Sequence, residues 1–96
     1  MSDEQRFLCR RIFDHYGVDS QLRILQEECA ELIQAASKLC RQGVTAETYS
    51  NFEEELADVS IMIEQMKYWL KDDLTSIIDT KLQRQKERIA HERHGE

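Results

Sequence analysis

The chain has 96 residues, enough for one domain but short for a deep private core, so association with further copies is expected. Its 13 basic and 19 acidic side chains give a net charge of −6, which argues against a general nucleic-acid binder with its cationic footprint. No apolar run approaches the roughly 20 residues of a membrane span, and Met1-Ser2-Asp3-Glu4-Gln5 lacks the basic-then-apolar plan of a signal peptide.

There is no proline, and glycine occurs only at positions 17, 43 and 95. No segment sustains strand-like alternation, so the expected class is all-α. A first helix is expected from about Asp3 to Tyr16, carrying Phe7, Leu8, Ile12 and Phe13 and ended by Gly17. Asp19 or Ser20 can N-cap a second, amphipathic helix bearing Leu22, Leu25, Cys29, Leu32, Ile33, Ala36, Leu39 and Cys40, with Gly43 at its end. Residues 43–49 form the connection. Ser50 or Asn51 then caps a third helix, with Glu53 or Glu54 completing a capping box. That helix presents Phe52, Leu56, Val59, Met62, Ile63, Met66 and Trp69.

Lys71-Asp72-Asp73 is the polar break before a fourth apolar series of Leu74, Ile77, Ile78, Leu82 and Ile89. That fourth helix thins into Lys, Arg, His and Glu, and residues 89–96 are expected to fray. Four helices with short connections suggest one domain over residues 1–96, folded as a compact four-helix bundle. Cys9, Cys29 and Cys40 form an odd set with no C-x-x-C spacing. They are expected to be reduced, mostly buried thiols in a cytoplasmic protein.

The chemistry-bearing feature is a repeated motif. Glu27-Glu28-Cys29-Ala30-Glu31-Leu32 on the second helix matches Glu54-Glu55-Leu56-Ala57-Asp58-Val59 on the third, with Glu28 on Glu55 and Glu31 on Asp58. Residues three apart share a helix face, so each pair can present two carboxylates to one ligand. Two such pairs facing one another crowd four negative charges into one cleft, which a cation would make tolerable. Hard divalent cations prefer carboxylate oxygens, and Mg²⁺ keeps positions open for water and phosphate.

Acidic residues early in a helix also favour its macrodipole. That account suits Glu53 and Glu54 but not the mid-helix Glu31. Glu27, four residues before Glu31, is an alternative ligand on its spacing, although the repeat alignment favours Glu28. Gln21, seven residues before Glu28, and Gln65, seven beyond Asp58, share these faces and are candidate contacts for a ribose or base. The aromatic residues Phe7, Phe13, Tyr16, Tyr68 and Trp69 are read mainly as core or interface. His15, His91 and His94 have no helical pairing with the acidic motifs, which weakens a di-iron carboxylate reading. Lys81, Arg84 and Arg88 recur at i, i+3 and i+7 as one basic stripe.

The E-E-x-x-E-L run, the E-x-x-D pair 24 residues later and the basic helix that follows resemble the MazG-type all-α nucleoside triphosphate pyrophosphohydrolases. The likeness spans about Gly17 to Ile89. It is nearest the small single-domain bacterial and phage type, through Gly17-Val18-Asp19-Ser20-Gln21 and Ile61-Met62-Ile63-Glu64-Gln65-Met66. The resemblance implies that Glu28, Glu31, Glu55 and Asp58 bind Mg²⁺, with Mn²⁺ as a substitute. It also implies cleavage of a (d)NTP to (d)NMP and pyrophosphate as nucleotide-pool house-cleaning. Lys81 and Arg84 then become candidates for phosphate contact, Glu28 or Glu31 for the general base, and a homodimer or homotetramer for the assembly. Two alternatives stand beside it: a non-catalytic helical interaction module, and the same fold acting on phosphoribosyl-ATP.

Overall fold

A computed structural model of the chain describes residues 1–95 and the side chains of residues 1–93. The described residues form four α-helices and no strand: α1 (Asp3–Tyr16), α2 (Val18–Gln42), α3 (Ala46–Leu70) and α4 (Thr75–Gly95). Among them no helix is long and apolar enough to cross a membrane.

α1 starts in a full capping box. Ser2 Oγ accepts from the Gln5 amide at 3.1 Å, and Gln5 Oε1 accepts from the Ser2 amide at 2.8 Å. Gly17, at φ +88°, ends it and leads straight into α2. The expected cap at Asp19 or Ser20 is therefore not used. A positive φ, which glycine adopts freely, turns the chain within one residue, and the Gly17 carbonyl already accepts from the Gln21 amide at 3.1 Å.

α2 ends at Gly43, and α3 begins after three connecting residues rather than at Ser50 or Asn51. Thr45 and Thr48 make the capping box there, and the Thr48 hydroxyl also donates to the Gly43 carbonyl at 2.8 Å. A threonine in the N3 position does the work expected of glutamate. Lys71 closes α3 in the left-handed region at φ +59°. Asp73 Oδ1 then accepts from both the amide and the hydroxyl of Thr75, at 3.0 and 2.6 Å, at the head of α4.

α2 and α3 pack as an antiparallel hairpin, with α1 laid mainly along α3. Phe13 meets Tyr68 edge to face at 5.8 Å, the Tyr68 hydroxyl donates to Asp14 at 2.9 Å, and the Arg10 guanidinium lies 5.5 Å above the tyrosine ring. The small apolar core is Cys9, Phe13, Ala35, Val59 and Met62. Of the three thiols only Cys9 is buried; Cys29 is half-buried and Cys40 exposed, against the expectation of mostly buried cysteines.

α4 takes no part in this packing: none of its described α-carbons lies within 8 Å of another helix. The radius of gyration, 17.0 Å, exceeds the roughly 12.5 Å of a compact chain of this length for the same reason. Ile77, Ile78, Leu82 and Ile89 are all more than half exposed. The compact four-helix bundle is thus corrected to three packed helices and a fourth that projects. Beyond Leu82 its one remaining large aliphatic side chain is Ile89, too little apolar surface to hold the helix on the hairpin. α4 continues as helix through residue 89 to Gly95, where fraying was expected; Glu96 lies outside the described residues.

Candidate metal centre

The hairpin sets the register of the site. Gln21 Nε2 donates to Gln65 Oε1 at 2.8 Å, and in an antiparallel pair each step forward on α2 is matched by one back on α3. Glu28 then stands level with Asp58, and Glu31 with Glu55. One carboxylate oxygen from each of Glu28, Glu31 and Glu55 lies within 4.8 Å of the other two. Asp58 falls outside that trio and is exposed, yet its charge still raises the pKa of Glu28 and of Glu55.

Two features make this more than an acidic surface. Glu28 Oε2 and Glu55 Oε2 are buried atoms with no hydrogen-bond partner, although both side chains are half-buried as a whole. Burial is also the largest influence pushing both carboxyls above the ordinary glutamate value. The negative charges of Glu31, Asp58 and Glu55 add to this at Glu28; the adjacent Glu31 carboxyl, then the charges of Asp58 and Glu54, add to it at Glu55. Among the described residues the ion pairs are Arg6 with Asp3 and Glu64, and Lys67 with Glu64, so no basic side chain pairs with the cluster. An all-oxygen donor set with two orphaned buried oxygens fits a hard divalent cation.

The other candidates from the sequence do not join the cluster. Gln21 and Gln65 are 4% and 1% exposed and hydrogen-bonded to each other. Gln65 Nε2 also donates to Met62 Sδ at 3.6 Å. Buried and mutually bonded, these amides leave no free edge for a nucleoside within one copy. Lys81 and Arg84 lie on the projecting α4, fully on its exposed surface, away from the carboxylates. Sequence reading gave Glu54 only to the helix start and its macrodipole, whereas its charge also acts on Glu55. It read Asn51 only as a helix cap and passed over Lys38; these stand at i−4 from Glu55 and i+7 from Glu31. No protein-family model, curated protein or solved structure matches the chain.

Proposed function

We propose that the chain is a Mg²⁺-dependent nucleoside triphosphate pyrophosphohydrolase of the MazG-like kind, converting (d)NTP to (d)NMP and pyrophosphate. The observation that carries this reading is the pair of buried, unpartnered oxygens on Glu28 and Glu55 beside Glu31. With Asp58, these side chains are the set that would hold the cation, with Mn²⁺ as a substitute. When bound, the metal would neutralise phosphate charge and acidify an attacking water. Glu31 lies within reach of both neighbouring carboxylates and is itself exposed, so it, or Glu28, is placed to accept the proton of that water.

Assembly as a homodimer or homotetramer belongs to the same proposal. Tyr49, Leu56, Ile63 and Leu70 recur at seven-residue intervals on α3, each between 44% and 56% exposed, a stripe suited to another helix. The test is pyrophosphate release from a panel of (d)NTPs and phosphoribosyl-ATP with Mg²⁺. Wild type should release it, while Glu31→Ala and Asp58→Ala abolish release and keep the helical circular dichroism. Retained activity in both variants disposes of the assignment.

A second reading draws on the exposure of α4: a non-catalytic module in which the basic stripe of a neighbouring α4 pairs with the carboxylates. Magnesium separates the two, because a ligand of the native state raises the melting temperature. A hundredfold excess over Kd adds about 2.7 kcal/mol, roughly 10–20 °C for a domain of this size. A flat melting temperature favours the module.

A further inference from the structure

α2 carries a second apolar face that the fold leaves uncovered. Cys29, Ile33, Ala36 and Cys40 recur at steps of four, three and four residues, the spacing of one helix stripe. Ala36 is turned by about 100° from the buried Ala35, so the stripe does not belong to the face that packs inward. Ile33 is 67% exposed, Cys40 is exposed, and Cys29 and Ala36 are half-buried. The stripe borders a depression of about 710 Å³ whose lining includes Ile33, Ala36, Ser37 and Cys40. It lies open along one helix, unlike the enclosing pocket of a small molecule, and suits the side chains of another helix.

The order of residues along the stripe says which helix that is. It reads thiol, large, small, thiol, and it matches itself when reversed. Two α2 helices laid antiparallel about a two-fold axis between Gln34 and Ala35 set Ile33 of each copy level with Ala36 of the other, a large side chain against a small one. The same register sets Cys29 of each level with Cys40 of the other. The overlap runs from Glu27 to Gln42, about 24 Å of helix. Charge agrees with this direction. Glu27 and Arg41 are exposed on one flank of the stripe, and among the described residues neither makes an ion pair within the chain. The antiparallel register brings Glu27 of one copy within one residue, about 1.5 Å along the axis, of Arg41 of the other. A parallel pair would set Glu27 against Glu27 and Arg41 against Arg41, which like-charge repulsion opposes.

We propose that a second copy of this chain packs antiparallel on the outer face of α2, about a two-fold axis between Gln34 and Ala35, with each Cys29 thiol set against Cys40 of the other copy. The proposal stands apart from the pyrophosphohydrolase reading, and it names a seam in addition to the apolar stripe on α3. A low-molecular-weight disulfide such as oxidised glutathione closes each couple by exchange. The Cys40 thiolate attacks one glutathione sulfur, the glutathione disulfide bond breaks, and one glutathione leaves as a thiolate. Cys29 of the other copy then attacks the Cys40 sulfur and expels the second glutathione. The two cysteines are oxidised, the glutathione disulfide is reduced, and the two cysteine protons end on the two glutathione thiols. Cys9 is buried on α1 and lies off this face.

The experiment treats the full chain, at low micromolar concentration, with oxidised glutathione and separates the products on a non-reducing gel. Wild type should run as a covalent dimer, and peptide mass mapping should find Cys29 joined to Cys40. Cys29→Ser and Cys40→Ser should each lose the dimer at least tenfold when treated alone. An equal mixture of the two variants should recover part of it, through the one couple that remains between them. Ile33→Glu, a change at an exposed position, should lower the cross-linked yield while the helical circular dichroism is kept. A wild type that gives no covalent dimer overturns the proposal. So does cross-linking that survives in either serine variant alone, a Cys40–Cys40 linkage, or a mixture that recovers nothing. Pyrophosphate release bears on none of these outcomes, so the seam and the enzyme stand or fall separately.

Discussion

The two ends of the α2–α3 seam treat buried polar groups in opposite ways. At one end Gln21 and Gln65 meet amide to amide at 2.8 Å, and α1 folds in beside them against Glu64 and Tyr68. Donor faces acceptor, and the burial of Gln65 at 1% exposure is compensated. About two turns further along, Glu28, Glu31 and Glu55 supply only acceptors, and two of their oxygens are buried with nothing to bind. The first arrangement is complete in the folded chain and serves the fold. The second leaves two acceptors without a partner within the described chain.

Four experiments would break or sharpen that contrast. The largest effect is expected from Glu31→Ala or Asp58→Ala: loss of pyrophosphate release to background with the fold retained. Next, Gln65→Leu should leave the Gln21 amide orphaned in the seam and destabilise by about 2 kcal/mol, roughly 8–16 °C in Tm. Adding Gln21→Leu should restore most of it, since removing both partners of a buried hydrogen bond is nearly neutral. No equivalent rescue should follow from pairing substitutions among the carboxylates, whose buried oxygens have no partner among the described residues.

A smaller effect, of known sign, concerns pH. The folded pKa of Glu28 and of Glu55 is raised above 4.5, first by burial and then by neighbouring negative groups. Their contribution to stability is therefore fully present below about pH 4.5 and lost as pH rises through the raised values. Metal-free wild type should accordingly melt lower as pH climbs through that window. Glu28→Gln should flatten the trend and melt higher than wild type at neutral pH in EDTA, while losing the gain from Mg²⁺. The smallest effect is expected from Lys81→Ala combined with Arg84→Ala: the magnesium-induced shift should stay as in wild type, because α4 does not touch the cluster.

The helices were legible in the sequence because glycine and polar breaks punctuate a chain without proline. α1 falls on its expected span, and the Gly43 stop and the Lys71–Asp73 break fall where expected. The caps of α2 and α3 were less so. Gly17 could be read as a stop but not as a turn tight enough to start the next helix at once. Thr45-x-x-Thr48 is a weaker signal than a serine followed by glutamate. For the site, i,i+3 spacing brought out the acidic quartet, but spacing on single helices does not fix register between them. Asp58 lies outside the 4.8 Å trio, and the two glutamines read as candidate nucleoside contacts face each other.

The projecting α4 also divides the molecule electrically. From Thr75 to Gly95 basic side chains outnumber acidic ones five to three, whereas residues 1–74 carry 15 acidic against 8 basic. With the cationic segment held at a distance from an anionic body, the protein has a permanent dipole. Two approaching copies would be turned arm to body before they touch, and added salt would slow that encounter more than it loosened any apolar seam formed afterwards.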